Sequence, residues 1–289
     1  MTKSTADINQ IQVISNPTKK IEFKLQNIHE TLLLPLWGRA EAAIMKDPIL
    51  NDRKAIELIN QIDYDFSKFR LQIRKFEILT LAIRAKELDA MIQKFISTHP
   101  DATIVNIGAG LDTTFYRVNN SRIKWYDLDV SQVITLRKAL LPQCEQLKSI
   151  PKSMFDKSFL DDIEQPKDGI LFFVSGVLIY FDEEKVRDFF KMLSSRFPGG
   201  EIAFDTMTPL GINIADRTVK KSGIHGADMK WGISNVKRIE QWNLGLKLLE
   251  CYPIYSKTAI PRSWGATAGF LMRFSDTFSM INMNHMKFG

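Results

Sequence analysis

The chain has 289 residues, of which 45% are hydrophobic and 25% are charged, and both fractions are ordinary for a soluble globular protein. Its 39 basic and 33 acidic side chains leave a net charge of +6, but the basic residues are scattered without interleaved aromatic residues, which argues against a nucleic-acid partner. No apolar run approaches the roughly eighteen residues that span a bilayer, and the two cysteines form neither a disulfide framework nor a metal cluster with the four histidines.

The beginning of the chain is predicted to be an arm followed by a helix. Residues 1–24 are polar and aperiodic and lack the charged-then-apolar pattern of a signal peptide, so we expect a mobile arm on a cytoplasmic protein. A helix is predicted over residues 27–45. Pro35 is expected to kink this helix or to split it in two, because proline lacks the N–H that a helix interior needs.

Two further helices complete a predicted N-terminal cap. Asp52 can cap a helix that ends near Ile62, and its apolar residues recur at helical spacing. A long helix is then predicted over residues 71–97, with Arg84 among its apolar positions. We therefore expect residues 1–97 to form an arm and a helical cap or lid.

From His99-Pro100-Asp101 onward, short apolar runs alternate with helical patterns. The runs that are predicted to be strands are residues 103–107, 123–128, 170–174 and 201–205. Alternation of this kind is typical of a parallel sheet with helices on both faces, the α/β class. Residues 98–289 are accordingly predicted to form the core domain.

The last third of the chain is less regular. Asp182 is predicted to cap the clearest helix, which Pro198-Gly199-Gly200 ends. Residues 207–231 loosen into glycine, proline and polar residues with one short helix, and we expect an acceptor-side insertion at about residues 207–233. The final predicted elements are a helix at 234–243 and two closing strands at 246–251 and 268–274.

A glycine turn follows the first predicted strand. Gly108, Ala109 and Gly110 form a Gly-x-Gly sequence, and Asp129 ends the next strand about twenty residues later. Glycines let a backbone approach a nucleotide closely, and an acid at this spacing can bind ribose hydroxyls. A dinucleotide site would normally show a third glycine, but Thr113 stands there, which weakens an NAD site.

S-adenosylmethionine has no phosphate and fits this pattern better. It needs a glycine turn beside its methionine portion, an acid for the ribose and a polar group at the adenine edge. Asp129 can be the ribose acid. Asp156, placed where the third strand would end, could accept a hydrogen bond from the adenine amino group, with Phe155 or Phe159 against the ring.

Several separated motifs resemble, in order, those of the leucine carboxyl methyltransferase family, and in particular its polyketide O-methyltransferases of the tetracenomycin type. The motifs are Pro35-Leu36-Trp37-Gly38-Arg39-Ala40, Val105-Asn106-Ile107-Gly108-Ala109-Gly110-Leu111-Asp112-Thr113-Thr114-Phe115-Tyr116-Arg117, Trp125-Tyr126-Asp127-Leu128-Asp129 and Gly176-Val177-Leu178-Ile179-Tyr180. The resemblance runs from about Thr31 to Asp205 and fades after Met207.

The resemblance implies a class I methyltransferase fold with a Rossmann-like, seven-stranded sheet whose last strand is antiparallel, and an N-terminal helical cap. It also implies that Arg84 pairs with the carboxylate of the cofactor's methionine portion, and a planar guanidinium suits that partner. The alternative for Arg84 is a structural ion pair. Ser175 stands where many family members carry an acid, so it can hydrogen-bond near the cofactor but supplies no charge.

The candidates for catalysis and for acceptor binding can also be explained by purely structural roles. Tyr180 either lines the methyl-transfer site or packs in the core, and His225 is either a general base or a surface histidine. Arg39 either reaches a ligand or forms a salt bridge. Met229 and Trp231 are candidate pocket walls.

We therefore predict an S-adenosylmethionine-dependent O-methyltransferase that acts on a small molecule. No histidine lies in a recognisable base motif, which slightly favours an acceptor that ionises readily, a carboxylate or an acidic enol or phenol, and the net charge points weakly to an anionic acceptor. The alternatives are an NAD-dependent oxidoreductase, a catalytically silent cofactor-binding module, which Ser175 keeps open, and methylation of a protein C-terminus.

Overall fold

The computed structural model describes residues 30–221 and 228–289, and its N-terminal part is helical. A short 3-10 helix at Glu30–Leu32 leads into the first α-helix. Four α-helices then follow: α1 (Leu33–Ala43), α2 (Arg53–Gln61), α3 (Ser67–Gln72) and α4 (Lys75–Thr98). They share an apolar cluster in which the ring centroids of Trp37 and Phe69 lie 5.6 Å apart. The arm expected over residues 1–24 lies outside the described residues.

The rest of the described chain is organised around one seven-stranded sheet with the order β3-β2-β1-β4-β5-β7-β6. Its strands are β1 (Thr103–Ile107), β2 (Lys124–Asp129), β3 (Leu147–Pro151), β4 (Ile170–Val174), β5 (Glu201–Met207), β6 (Lys247–Pro253) and β7 (Ile281–Lys287). β7 is antiparallel to both of its neighbours, whereas the pairings among β1 to β5 are parallel. The seven-stranded sheet with an antiparallel last strand is thereby confirmed.

Helices connect the strands and cover the sheet. The α-helices of this part are α5 (Phe115–Val118), α6 (Ser131–Leu140), α7 (Glu183–Arg196), α8 (Pro209–Lys221) and α9 (Ala266–Thr277). Short 3-10 helices occur at Lys157–Asp162, Leu178–Tyr180, Val236–Trp242 and Arg262–Trp264. Because helices lie on both faces, β1 and β4 are buried along their whole length.

The register of the central strands brings their carboxyl ends level. Ile107 of β1 pairs with Leu128 of β2 on one side and with Val174 of β4 on the other. The residues that come next in the chain therefore lie side by side at one edge of the sheet. In parallel sheets this edge is where ligands bind.

The predicted split of the first helix is wrong, whereas the predicted cap of the second is confirmed. α1 begins at Leu33, so Pro35 falls within its first turn, where the backbone N–H has no partner inside the helix and proline is tolerated. At the start of α2, the Asp52 carboxylate accepts a hydrogen bond of 3.0 Å from the backbone N–H of Ala55.

The long helix predicted over residues 71–97 is divided. Ile73 and Arg74 have extended backbones, with ψ of 124° and 164°, and separate α3 from α4. Ile73 is only 6% exposed and belongs to the apolar cluster of the helical cap. Neither residue is a proline or a glycine. The break between α3 and α4 therefore coincides with the tertiary packing of Ile73 and not with a helix-breaking residue.

The predicted closing strand at residues 268–274 is wrong, because this segment belongs to α9. Its buried residues Ala268, Met272 and Ser275 are spaced by four and three positions, which is the period of a helix. The last strand is β7 instead, where Asn282 and Asn284 interrupt the apolar pattern.

Two segments between β5 and β6 also differ in detail from expectation. α8 has 13 residues and is longer than the short helix predicted. A 3-10 helix at Val236–Trp242 takes the place of the helix predicted at 234–243. Residues 222–227 lie outside the described part of the chain. The division into a cap of residues 1–97 and a core of residues 98–289 stays a prediction.

Candidate active site

The turn after β1 requires glycine. Gly108 and Gly110 have φ of +68° and +45°, a left-handed conformation that other residues rarely adopt. A Cβ atom at Gly108 would lie 2.6 Å from Cγ2 of Val177, and one at Gly110 would lie 3.0 Å from Cδ2 of Leu32. Both conformation and space therefore exclude a side chain at Gly108.

The N–H groups of this turn are already bonded within the protein. Gly108 and Ala109 donate to the carbonyl oxygen of Leu128, at 2.9 and 3.1 Å. Gly110 donates to Oδ2 of Asp129 at 2.8 Å. A dinucleotide site uses such N–H groups to hold a pyrophosphate. Their engagement here counts against NAD.

Two buried arginines hold the carbonyl groups of the turn. Nη1 of Arg137 donates to the carbonyl oxygens of Ala109, Gly110 and Asp112, at 3.1, 2.9 and 2.9 Å. Nη2 of Arg39 donates to the carbonyl oxygen of Leu111 at 2.9 Å. The turn is thus held on its carbonyl side as well as its N–H side, which makes it a rigid platform.

A carboxylate behind the turn anchors Arg137. Asp127 of β2 is 2% exposed and accepts hydrogen bonds from the Arg137 guanidinium, from Asn106 at 3.1 Å and from the Trp125 indole at 2.9 Å. Arg137 itself is 2% exposed. A buried ion pair with this many hydrogen bonds fixes the position of the guanidinium that holds the turn.

A second buried network ties the helical cap to the turn. Asp52, fully buried, accepts hydrogen bonds from Arg39 at 2.9 Å, from Arg117 at 2.8 Å and from the Thr113 hydroxyl at 2.6 Å. Burial alone would raise the pKa of Asp52, but the two arginines and the Thr113 hydroxyl bring it below its ordinary value. Thr113, which stands where a dinucleotide site has its third glycine, therefore serves this network.

Asp129 lies where an acid can meet the ribose of a nucleoside. Besides the bond from Gly110, its Oδ1 accepts a hydrogen bond of 2.7 Å from the N–H of Val130. Burial raises its pKa, and the hydrogen bonds from Gly110 and Val130 oppose that rise. Each carboxylate oxygen can accept more than one hydrogen bond, so both remain available to hydroxyl groups of a ligand.

Arg84 of α4 lies against the carboxyl ends of β4 and β5. Its Nη1 is 3.5 Å from Oδ2 of Asp205, whose Oδ1 accepts a hydrogen bond of 2.6 Å from the N–H of Gly176. A Cβ atom at Gly176 would come within 2.6 Å of the same Nη1. The structure thus contains the ion pair that was the alternative for Arg84, and the five N–H donors of its guanidinium leave capacity for a second carboxylate.

One cavity of about 570 Å³ extends from the glycine turn to α8 and α9, and most of the predicted site residues line it. Its volume falls within the range of ligand sites, roughly 300–1,000 Å³. Those that line it are Arg39, Arg84, Gly108, Ala109, Gly110, Asp129, Ser175, Tyr180 and Met229. The cofactor-turn residues and two of the acceptor-side candidates therefore share one space.

Three of the predicted residues that the structure describes do not line the cavity. Phe155 is 36% exposed, with its ring 4.7 Å from that of Phe181, which does line the cavity. Asp156 is exposed and accepts a hydrogen bond from the N–H of Ser158, so it caps a 3-10 helix. Trp231 is 3% exposed and belongs to the apolar core, because its ring packs near Trp242 rather than in the cavity wall. His225 lies outside the described residues.

Tyr180 borders the cavity as a phenol. Burial raises its pKa, although the nearby charge of Arg84 opposes the rise. At neutral pH the hydroxyl therefore keeps its proton, and it can donate a hydrogen bond. This suits a positioning role better than that of a general base.

Three polar residues of the site were not identified as site residues from the sequence. Asp205 and Arg137 act through contacts between distant segments, and Glu77 lines the cavity from the first turn of α4. Asp127 did carry a signal, since an acid between the apolar residues of a buried strand needs a buried partner.

The described residues contain neither a membrane-spanning helix nor a metal centre. Among residues 30–221 and 228–289, no helix has the length and apolar character required to cross a bilayer. In the same part of the chain, no three His, Cys, Asp or Glu side chains gather as they would around a metal ion.

Known proteins match the chain in both sequence and fold. The model of the leucine carboxyl methyltransferase family matches residues 33–194. The chain is 31% identical over 228 residues to the tetracenomycin polyketide synthesis O-methyltransferase TcmP of Streptomyces glaucescens, covering 78% of this chain and 83% of that protein.

A further relative and a solved structure match most of the chain. An S-adenosyl-L-methionine-dependent methyltransferase of Gibberella zeae, dpfgK, is 26% identical over 275 residues, covering 89% of this chain and 92% of that protein. The crystal structure of a DUF574 family protein from Streptomyces avermitilis superposes with a TM-score of 0.59 at 13% identity, covering 88% of this chain and 97% of that one. At that identity the superposition establishes the fold alone.

Proposed function

The chain belongs to the leucine carboxyl methyltransferase family, and we propose that it transfers a methyl group from S-adenosylmethionine to an oxygen atom of a small molecule. Its sheet is that of the class I methyltransferases. The likeness to an O-methyltransferase of polyketide synthesis supports a polyketide-like or other secondary metabolite as the acceptor. The reacting group would be a carboxylate or a phenolic or enolic oxygen.

The residues present suit S-adenosylmethionine. The observation that carries the proposal is that Gly108 and Ser175, which directly follow β1 and β4, and Asp129, the last residue of β2, all line one cavity at the level carboxyl ends of these strands. We assign the ribose hydroxyls to Asp129 and the carboxylate of the methionine portion to Arg84. Gly108 lines the cavity and has no side chain, which supports a close approach of the cofactor to the backbone there.

The remaining site assignments rest on position. Ser175 borders the cavity and is proposed to hydrogen-bond near the cofactor. Phe155 packs against the ring of Phe181, which lines the cavity, and its role at the adenine ring, like that of Asp156, stays a prediction from sequence. The base role of His225 and the cytoplasmic location also stay predictions.

When bound, S-adenosylmethionine supplies a methyl group that a positively charged sulfur activates. The chain itself contributes alignment and exclusion of water, which are the main contributions a protein makes to such a displacement. Arg137 and Arg39 hold the turn on which the methyl donor would rest. Tyr180 can donate a hydrogen bond at the same cavity.

Two of the alternative functions make different predictions for this site. An NAD-dependent oxidoreductase is disfavoured, because the turn's N–H groups are engaged and Thr113 belongs to a buried network. A catalytically silent binding module would bind S-adenosylmethionine without any transfer, and Ser175 in place of an acid is the feature that keeps this function open.

Isothermal titration tests the cofactor first. The full chain is titrated separately with S-adenosylmethionine, with S-adenosylhomocysteine and with NAD. We expect saturable binding of the first two and none of NAD. Binding of NAD alone would end the methyltransferase proposal, and binding of S-adenosylmethionine without turnover across phenols, enols and carboxylic acids would favour the silent module.

A further inference from the structure

The guanidinium of Arg84 keeps hydrogen-bond donors for a ligand. Its Nη1 is 3.5 Å from Oδ2 of Asp205, and that oxygen accepts no hydrogen bond from the residues that the structure describes. The pair is therefore held by charge and not by a hydrogen bond. The Arg84 side chain is 13% exposed and lines the cavity, so a carboxylate in the cavity can reach its N–H groups.

The position of this guanidinium depends on the missing side chain of Gly176. A Cβ atom at Gly176 would lie 2.6, 3.0 and 3.1 Å from Nη1, Cζ and Nη2 of Arg84. Three atoms at similar distances mean that the guanidinium lies broadside across the Cα of the glycine. Because these atoms are the far end of a long and flexible side chain, a residue larger than glycine would displace the arginine rather than the backbone.

Asp205 holds the same arrangement from the neighbouring strand. The N–H of Gly176, two residues after the end of β4, donates a hydrogen bond of 2.6 Å to Oδ1 of Asp205 on β5. The other oxygen of this buried carboxylate faces Arg84. One carboxylate thus fixes the backbone at Gly176 and attracts the guanidinium that lies across it.

We propose that Gly176 is a positioning residue for the cofactor, because its lack of a side chain places the Arg84 guanidinium where it meets the carboxylate of the methionine portion. This inference rests on the proposed binding of S-adenosylmethionine and deepens it. Gly176 thereby contributes to the discrimination between a methyl donor that carries the carboxylate and one that lacks it, although it donates no hydrogen bond to that group itself.

A matched pair of ligands tests this role at neutral pH. S-adenosylmethionine and its decarboxylated form share the adenosine, the sulfonium and the amino group, and differ in the carboxylate. Isothermal titration of the full chain gives both dissociation constants. Since a hydrogen-bonded ion pair with Arg84 is available to one ligand alone, we expect S-adenosylmethionine to bind roughly thirtyfold more tightly.

Gly176→Ala should reduce this preference about tenfold, because the displaced guanidinium meets the carboxylate poorly. The affinity for the decarboxylated form should change much less. Gly199→Ala is the matched control, since Gly199 has a φ of +78°, close to the +64° of Gly176, but a Cβ atom there would meet open space. It imposes the same kind of backbone strain without touching an arginine, and the preference should be unchanged.

Arg84→Met shows whether Gly176 acts through the arginine. Methionine ends before the position of Cζ, so it should abolish most of the preference. Adding Gly176→Ala should then leave the ratio of the two dissociation constants unaltered, because the group that it displaces is gone. Urea denaturation gives a second readout that does not depend on a ligand. In the Arg84→Met background, the loss of stability caused by Gly176→Ala should fall to that caused by Gly199→Ala.

The outcomes separate the two proposals. Failure of the unaltered chain to bind S-adenosylmethionine would overturn the methyl-transfer function itself. Intact binding combined with an undiminished preference in Gly176→Ala, with equal losses for both ligands, or with additive effects of Gly176→Ala and Arg84→Met would overturn the role of Gly176 alone. If Gly176→Ala folded poorly and Arg84→Met did not reduce that loss, the same role would be refuted.

Discussion

Replacement of Arg137 by methionine removes the guanidinium that holds the glycine turn while keeping a side chain of similar length. The substitution breaks three hydrogen bonds to the carbonyl oxygens of Ala109, Gly110 and Asp112. It also leaves Asp127, which is 2% exposed, without its cationic partner. Removing one member of a buried ion pair costs about 3–5 kcal/mol, so we expect the free energy of unfolding to fall by that amount.

The same substitution should weaken cofactor binding, because the carbonyl side of the turn is no longer fixed. We expect the dissociation constant for S-adenosylhomocysteine to rise at least tenfold, which corresponds to about 1.4 kcal/mol. Urea denaturation followed by circular dichroism gives the stability, and isothermal titration gives the affinity. Arg137→Lys should have a stability and an affinity between those of the unaltered chain and of Arg137→Met, since an ammonium keeps the charge but not the planar fork that reaches several acceptors.

Two comparisons make this prediction refutable. Lys138→Met, on the exposed neighbouring position of α6, should change stability by no more than about 0.5 kcal/mol. The double variant Arg137→Met with Asp127→Asn should recover part of the loss, because no buried charge remains unpaired. If Arg137→Met lost less than about 1 kcal/mol and bound S-adenosylhomocysteine normally, the guanidinium would not be holding the turn.

Three further substitutions test other parts of the site. Asp129→Ala should weaken binding of S-adenosylmethionine by about 1–3 kcal/mol, as measured by titration, because buried ribose hydroxyls lose their acceptor. Unchanged affinity would remove Asp129 from the site. Asp188→Ala, on the exposed face of α7, is the control. Gly108→Ala should lower both stability and cofactor affinity, because its Cβ would clash with Val177 and because its φ of +68° strains any residue other than glycine. Adding Val177→Ala should relieve the clash but not the backbone strain of about 1–2 kcal/mol. Full rescue by the second substitution would contradict that strain. Asp52→Asn should lower the unfolding free energy at neutral pH by about 3–5 kcal/mol, because its neighbouring arginines lose their counter-charge. Because folding lowers the pKa of Asp52 below 3.8, its contribution is present above that pH and is lost as the pH falls further, so the difference between the variant and the unaltered chain should shrink there; a difference that grew on acidification would contradict the direction of the shift.

Elements with strong local signals were predictable from the sequence. The strands β1 and β4 match residues 103–107 and 170–174, because each is a short, mostly apolar run between turn-forming residues. The alternation of these runs with helices predicted the parallel sheet. The glycine turn and Asp129 were likewise predictable, since both lie at strand ends and are separated by about the twenty residues typical of a nucleotide-binding fold.

Elements governed by tertiary contacts were not predictable in this way. β7 contains Asn284, which is fully buried, because its side chain donates to the carbonyl oxygen of Phe204 and to the Thr206 hydroxyl on β5. These contacts offset part of the cost of burying the amide, whose Oδ1 accepts no hydrogen bond from the described residues. In the sequence, Asn284 interrupts the apolar pattern. The apolar run at 268–274 then resembled the missing strand, since short runs of this kind do not distinguish strand from helix.

The candidate site shows the same limit. Arg84 was predictable as a buried arginine in need of an anion, but its ion pair with Asp205 joins residues that are 121 positions apart in the chain (205 − 84). Trp231 was assigned to the pocket because it lies in an irregular segment beside Met229. The structure places Met229 in the cavity and Trp231 in the core, a difference that only the path of the backbone decides.

Transfer of a labelled methyl group tests the central claim most directly. The full chain is incubated with S-adenosylmethionine carrying a trideuterated methyl group and with a panel of phenols, enols and carboxylic acids of one or more fused rings. The masses of the products are measured by mass spectrometry. We predict that at least one oxygen acceptor gains one trideuterated methyl group, with equimolar formation of S-adenosylhomocysteine and a strong loss of both in Asp129→Ala. Binding of S-adenosylmethionine without a labelled product from any acceptor would contradict the account.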